Sequence, residues 1–222
     1  MAITQQKPPV KLTVGAQYIV FGIMDQEGEW AGQYEEDVYK FPTVVNVEPS
    51  DNNDSYEDHA SGEIYDADTV TQYTDLTTEQ IAIDGATRNR MKGYSTSGGA
   101  FLGGGKRVRP YFAYGIVVRK KNGSLDLRWY PKCKLVDITD RTETTEGSHK
   151  TQTDTMTIRA YPFNEDQDNV AGVDTGDSTY ANITEEMFFA APVRTLAEIA
   201  ALIPSGSGSS SSGSGSSGSG NG

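Results

Sequence analysis

RPYFAYGIVVRKKNGSLDLRWYPKCKLVD, from Arg109 to Asp137, carries the strongest structural signal in the chain. Two runs rich in strand formers meet at Asn122-Gly123. An Asn-Gly pair between alternating runs predicts a type I′ turn, because both central residues need positive φ and these two tolerate it best. In the second run Leu125, Leu127, Trp129, Cys133 and Leu135 share one face at a period of two, and Asp126, Arg128, Lys132 and Lys134 share the other. The first run puts Phe112, Tyr114, Ile116 and Val118 together. This is a long antiparallel hairpin with one buried and one wet face. Leu125, Leu127, Trp129 and Cys133 are its expected core residues.

Working outward, Lys11 to Ile23 reads as a strand and Thr43 to Val47 as a second, ended by Pro49. Asp25 to Tyr39, with Gly28, Gly32 and many acidic residues, reads as loop. Ser50 to Asp68 is acidic and poor in large aliphatics, so it reads as a long loop of the kind that is functional or disordered. Gln80 to Ile83 alternates like a strand, a short helix is expected around Thr87 to Lys92, and Ser95 to Lys106 is a Gly-rich loop. Beyond the hairpin, Thr151 to Phe163 alternates as a third strand of the same sheet, and 164–184 reads as a second long polar loop. Thr195-Leu-Ala-Glu198 is a capping box that opens a short final helix. The expected organisation is an arm over 1–10, one β domain over 11–203, and a flexible Ser/Gly tail over 204–222.

The 222 residues carry a net charge of −12, none of it in the Ser/Gly tail. A simple duplex-binding surface needs basic residues to displace counterions, so this balance argues against one. The start, MAITQQKPPVKL, has no apolar signal-peptide core, and no apolar run approaches the roughly 18 residues of a membrane span. The expectation is a chain made in the cytoplasm, with no membrane partner. One cysteine leaves no internal disulfide.

The search for chemistry is nearly empty. Gly105-Lys106 resembles the end of a phosphate loop, but Ala100 and Arg107 stand where Gly and Ser or Thr are needed. Asp51, Asn53, Ser55 and Asp58 crowd oxygen donors, yet Tyr56 and Gly62 replace the Gly and Glu that a calcium loop needs. His59 and His149 lie in polar segments, with no zinc spacing to Cys133. No catalytic, cofactor-binding or metal-binding residue is assigned, and no enzyme is expected. Basic residues cluster at Lys106, Arg107 and Arg109 and again at Arg119, Lys120 and Lys121, either as solvated strand ends or as a contact for an acidic neighbour.

The hairpin and the strand after it, introduced by EGSHKTQTDTMTIRAYPF, are similar to the major tail protein of bacteriophages with long non-contractile tails. Tyr111 to Lys120, Leu127 to Val136 and Lys150 to Ala160 carry the pattern, and MKGYS at Met91 to Ser95 looks like the family's short helix ending in Gly. The resemblance covers roughly Thr13 to Phe163. It implies a mainly β tail-tube fold, a β-sandwich or partly closed barrel of two packed antiparallel sheets with a flanking short helix. It implies a virion structural protein assembled in the host cytoplasm, with six copies in a ring and rings stacked into a tube around the tape measure protein. Tail terminator and distal tail or baseplate proteins would meet the tube's ends, and genomic DNA would pass through the lumen without sequence-specific binding. In that setting Asp51, Asp54, Glu57 and Asp58 are candidate ring-stacking residues, and Asp126, Arg128, Lys132 and Lys134 a candidate lumen or subunit-contact face. The alternative is a monomeric ligand-binding β-sandwich, such as a carbohydrate-binding module, with Trp30, Tyr94 or Tyr111 as a stacking platform.

Overall fold

The computed structural model describes residues 8–60, 63–105, 107–139 and 153–204, with the backbone alone for 56–60 and 63–68. The elements in chain order are β1 (Lys11–Met24), β2 (Trp30–Tyr34), β3 (Tyr39–Phe41), β4 (Val44–Ala60), β5 (Glu63–Gln80), α1 (Gly85–Met91), β6 (Ser95–Ser97), β7 (Ala100–Leu102), β8 (Phe112–Lys120), β9 (Leu125–Thr139), β10 (Asp154–Ala160), β11 (Ala171–Asp174), α2 (Glu185–Phe188) and α3 (Leu196–Ala201). Nine strands form one antiparallel sheet in the order β2-β1-β8-β9-β10-β5-β4, with β3 beside β1 and β11 beside β9. β6 and β7 form a separate two-stranded sheet. The mainly β, antiparallel class with a short flanking helix is as expected from the sequence. Closure is partial: β1, next to the β2 end of the order, and β4, at the other end, lie against each other without pairing.

Two bulges produce this curl. Val14 faces Val118 while Gln17 faces Ile116, so β1 carries an extra residue at Gly15-Ala16. Likewise Tyr130 faces Tyr114 while Cys133 faces Phe112, so β9 carries an extra residue at Pro131-Lys132. A bulge bends its strand, raises the local twist and shifts the side-chain alternation by one. Each half of β9 therefore serves a different core. Leu127 and Trp129 join Tyr18, Val20, Val117, Phe188 and Phe189 on one side of the sheet. Tyr130, Cys133 and Leu135 join Ile19, Phe112, Tyr114, Leu76 and Ile158 on the other, inside the curl. Leu127, Trp129 and Cys133 are fully buried and Leu125 packs partly against the Trp129 side. All four are core residues, but they do not share one face. A period of two, counted through the bulge, is what put them together.

The hairpin turn also differs from expectation. Gly123 has φ +86°, but Asn122 does not have positive φ. The Gly123 amide donates to the Lys120 carbonyl (3.0 Å) and the Lys120 amide to the Ser124 carbonyl (3.0 Å). This is a three-residue loop with Gly in the left-handed position, in place of a type I′ turn. Asn122 caps it by accepting from the Ser124 amide and hydroxyl.

The C-terminal segment covers the outer face of the sheet. Phe189 stacks on Tyr18 with ring centroids 4.0 Å apart and meets Trp129 edge-on at 5.1 Å. The Trp129 indole donates to the Phe188 carbonyl at 3.1 Å. Thr195 and Glu198 complete the expected capping box on α3. α1 also forms as read, capped by Asp84 and closed by Gly93 at φ +71°. The Tyr94 amide there reaches the Asn89 carbonyl and the Gly93 amide the Arg90 carbonyl, the paired bonds of a Schellman motif.

Four loop readings give way to strand. The span 25–39 contains β2, 164–184 contains β11 paired to β9, and 95–106 contains β6 and β7. Most consequential, 50–68 is not a loop: β4 runs through Pro49 to Ala60 and pairs with β5 throughout. Pro49 does not end the strand because β4 is an edge, where a missing N–H costs no ladder bond. The 1–7 part of the arm, Lys106, 140–152 with His149, and 205–222 lie outside the described residues.

Candidate assembly surfaces

The β4–β5 hairpin is both part of the sheet and an arm beyond it. β10 pairs with β5 only from Gln80 to Thr74. From Asn52 opposite Tyr73 to Ala60 opposite Glu63, the two strands have only each other as ladder partners among the described residues. At about 3.4 Å per residue the nine residues from Asn52 to Ala60 would span about 30 Å. Threonines hold the root: Thr74 donates to the Asp51 carboxylate (2.6 Å) and Thr71 to the Asn53 side chain (2.7 Å). Gln72 donates to Asp54 at 3.2 Å. Asp51 and Asp54 are exposed near the root; Glu57 and Asp58 occupy strand positions opposite Ala67 and Asp66, and their side chains lie outside the described residues. What looked like a structureless acidic loop is an acidic ribbon. Alternating Thr69, Thr71 and Tyr73 on β5 was the available signal, hidden by the Asp and Asn content of β4.

The bulge in β9 separates the residues expected on one wet face. Asp126 and Arg128 pair with each other, two Arg128 nitrogens donating to the two carboxylate oxygens at 2.9 and 2.6 Å. Arg128 lines a trough inside the curl with Ile116, Val118 and Val47. Lys132 and Lys134 belong to the opposite face. Lys134 sits 3.8 Å from the Tyr111 ring centroid, and Lys132 lies over both Trp30 and Tyr111. The four residues therefore form two separate surfaces.

The basic cluster divides similarly. Lys120, nearly buried, pairs with Asp174. Arg119 donates to Glu185 at 3.1 Å. Arg109 donates to the Leu135 carbonyl (2.7 Å) and to that of Val136, and Arg107 to the Ser95 hydroxyl. The stacking platform is not assembled either: Tyr111 is buried, Tyr94 is stacked on Phe101, and Trp30 lies against Tyr34. Cys133 is fully buried and its Sγ donates to the Tyr130 carbonyl, and burial pushes the thiol up, away from thiolate chemistry. No helix among the described residues is long and apolar enough to cross a membrane.

One polar cluster ties the C-terminal segment to the sheet. Glu185, first residue of α2, accepts from Tyr18 (2.6 Å), Lys40 (2.9 Å) and Arg119 (3.1 Å). Burial alone would raise its pKa, but the hydrogen bonds from Tyr18 and Lys40 outweigh this and hold it below its ordinary value. A lowered folded-state pKa stabilises the protein above the unfolded-state value, and that contribution is lost as pH falls through the folded-state pKa. Glu185→Gln is therefore expected to lower stability by about 1 kcal/mol at pH 7, the scale of a partly screened ion pair. The gap between variant and wild type should close as pH drops below the ordinary carboxylate range. Thermal melts of both proteins from pH 7 to pH 3 check this, and a gap that widens on acidification would contradict it.

No protein-family model matches the chain, and no curated protein matches it. Among solved structures, a chain of "Cryo-EM structure of the anti-feeding prophage (AFP) baseplate, 6-fold symmetrised" is similar with a TM-score of 0.42 and 9% identity. The match covers 76% of this chain and 97% of that one. The likeness is coarse, and no residue role is taken from it.

Proposed function

We propose that the chain is a non-enzymatic virion protein, the repeating subunit of a phage tail tube. In this reading copies associate into rings, six to a ring, and rings stack around a tape measure protein. The observation that carries the reading is the β4–β5 arm. A two-stranded ribbon with no third strand is marginal alone in water, so an arm of this length is stable in use when it lies against another surface. The exposed outer edge of β4 offers unpaired backbone groups in the same region, a second route to association between copies. The strand and turn pattern from Tyr111 to Ala160 supports the tail-tube identity by resemblance. Net charge of −12 suits a conduit through which DNA slides without sticking. Terminator and baseplate proteins would then contact only the terminal rings.

The arm gives the test. Removing Asn53 to Thr71, a register pair, and rejoining the strands with a two-residue Asn-Gly turn keeps everything that β10 and the cores contact. The shortened protein is expected to fold with a thermal midpoint within a few degrees of wild type. It should not form the rings or tubes, about 10 nm wide, that wild type forms under negative-stain microscopy. Tubes from the shortened protein would remove the arm from assembly. A wild-type chain that stays monomeric with and without tail-initiating proteins would remove the tube reading.

A further inference from the structure

Two apolar features at opposite ends of the protomer are left largely uncovered by the described residues. The first is the β6–β7 tongue. It pairs with nothing in the main sheet among the described residues, and it turns on Gly98-Gly99. Phe101 is 52% exposed and Leu102 72%. Its support is thin: Tyr94 stacks on Phe101 at 6.0 Å, and Gly103 lets that ring approach, since a Cβ there would lie 2.3 Å from it. Gly104 and Gly105, both at positive φ, form the return. Two exposed apolar residues toward the base of an isolated three-residue ribbon, Phe101 opposite Thr96 and Leu102 opposite Ser95, are not explained by packing among the described residues.

The second is the trough between the start of β1 and β4, where the sheet fails to close. Leu12, Val14, Val47, Pro49, Ile116 and Val118, together with Lys11, Thr13 and the Asp126-paired Arg128, line about 190 Å³ of open space. Leu12 is 59% exposed. The bulge at Gly15-Ala16 turns Leu12 and Val14 inward here. The tongue's base is tied to the Leu135 end of β9 through Arg109, while the trough lies at the Arg128 end. β8, nine residues and about 30 Å long, runs between the two. A chain cannot fill its own trough with its own tongue.

Charge adds a direction. Lys92, Arg107 and Arg109 stand at the foot of the tongue, and none pairs with a carboxylate among the described residues. Glu48, Asp51 and Asp54 are exposed along β4 just beyond the trough. An exposed apolar pair with basic neighbours thus matches an apolar floor with acidic residues along β4. The geometry points to a head-to-tail contact between copies, in which Phe101 and Leu102 of one copy enter the β1–β4 trough of the next. Lys92 and Arg107 then face Glu48 and Asp51. Such a contact is heterologous: every copy uses both surfaces, so it propagates instead of closing in a pair. It rests on the self-assembly reading above and assigns one of its surfaces.

The test uses the full chain and two variants at exposed positions, Phe101→Asp and Leu12→Asp, with thermal melts to show that both keep the wild-type midpoint. Light scattering after size exclusion is expected to show wild type growing with concentration and each variant stopping at one fixed mass. Mixed in equal amounts, the variants should form a species of twice that mass, because one intact tongue and one intact trough remain across the pair. A Phe101→Cys, Leu12→Cys chain should form disulfide-linked multimers on oxidation, an arm that does not depend on the Asp variants folding. Wild-type-like growth of both Asp variants, or no mass doubling on mixing, would overturn the contact while self-assembly stands. A wild type that never associates would overturn the contact together with the reading it rests on.

Discussion

Trp129→Ala is expected to destabilise the protein by about 3–5 kcal/mol, the range for emptying a fully buried aromatic site. Trp129 has no solvent exposure and sits where three segments meet. Its indole holds the Phe188 carbonyl, its ring meets Phe189 edge-on, and Tyr18 of β1 lies 6.5 Å away. The substitution thus leaves a cavity, frees a buried carbonyl and removes the ring against which the α2 segment rests. Gly115, directly across the ladder, cannot compensate, because a Cβ there would lie 2.6 Å from Phe189. Urea unfolding followed by circular dichroism measures the effect, with the slope m checked for constancy. An unchanged midpoint would contradict the placement of Trp129 between the sheet and the C-terminal segment.

Gln17→Leu should cost about 2–6 kcal/mol, through two polar groups that lose a partner at about 1–3 kcal/mol each, although it places an apolar residue in an apolar core. Gln17 is fully buried inside the curl. Its amide donates to Gln80 Oε1 at 2.6 Å, and its carbonyl oxygen accepts from the Tyr114 hydroxyl at 2.9 Å. These bonds join β1 and β8 to β5 across the interior, where no ladder pairs β1 with β5. The leucine side chain would leave the Tyr114 hydroxyl and the Gln80 amide oxygen without that partner. Burial already pushes the Tyr114 phenol up, so ionisation offers no relief. Replacing all three, as Gln17→Leu with Tyr114→Phe and Gln80→Leu, should recover much of the loss, since an apolar set leaves nothing unpaired. Gln80 Nε2 has no hydrogen-bond partner among the described residues, which lowers the cost of its removal. Unfolding midpoints of the single and triple variants decide the matter. A triple variant weaker than the single would show that the polar chain stabilises the curl beyond satisfying its own members.

Local pattern was enough for the central strands. The runs Lys11 to Ile23, Phe112 to Val118 and Thr151 to Phe163 correspond to β1, β8 and β10, because their strand formers suit a ladder whether one face is wet or, as in β1 and β8, both faces are buried between the two cores. The caps were legible for a similar reason. Thr195 with Glu198 and Gly93 after α1 act on neighbouring backbone, so their chemistry is complete within a few residues. The type I′ turn failed because Asn122 serves the turn with its side chain, as an acceptor for Ser124, and not with positive φ.

Two things depended on the whole fold. Whether Asn52 to Ala60 is strand or loop turns on whether a matching strand stands opposite, and Glu63 to Tyr73 supplies it through backbone bonds that ignore the acidic side chains. Which residues of β9 share a face turns on the bulge at Pro131-Lys132, where the single residue Ala113 of β8 stands opposite two. By itself the sequence determined an antiparallel β protein built on the Arg109 to Asp137 hairpin, capped by short helices. Only the tertiary structure decided that this hairpin bends across two cores, that an acidic ribbon leaves the sheet, and that an apolar tongue and trough lie at opposite ends. Pairing partners and bulges come from contacts distant in sequence, and a period counted along one strand cannot contain them.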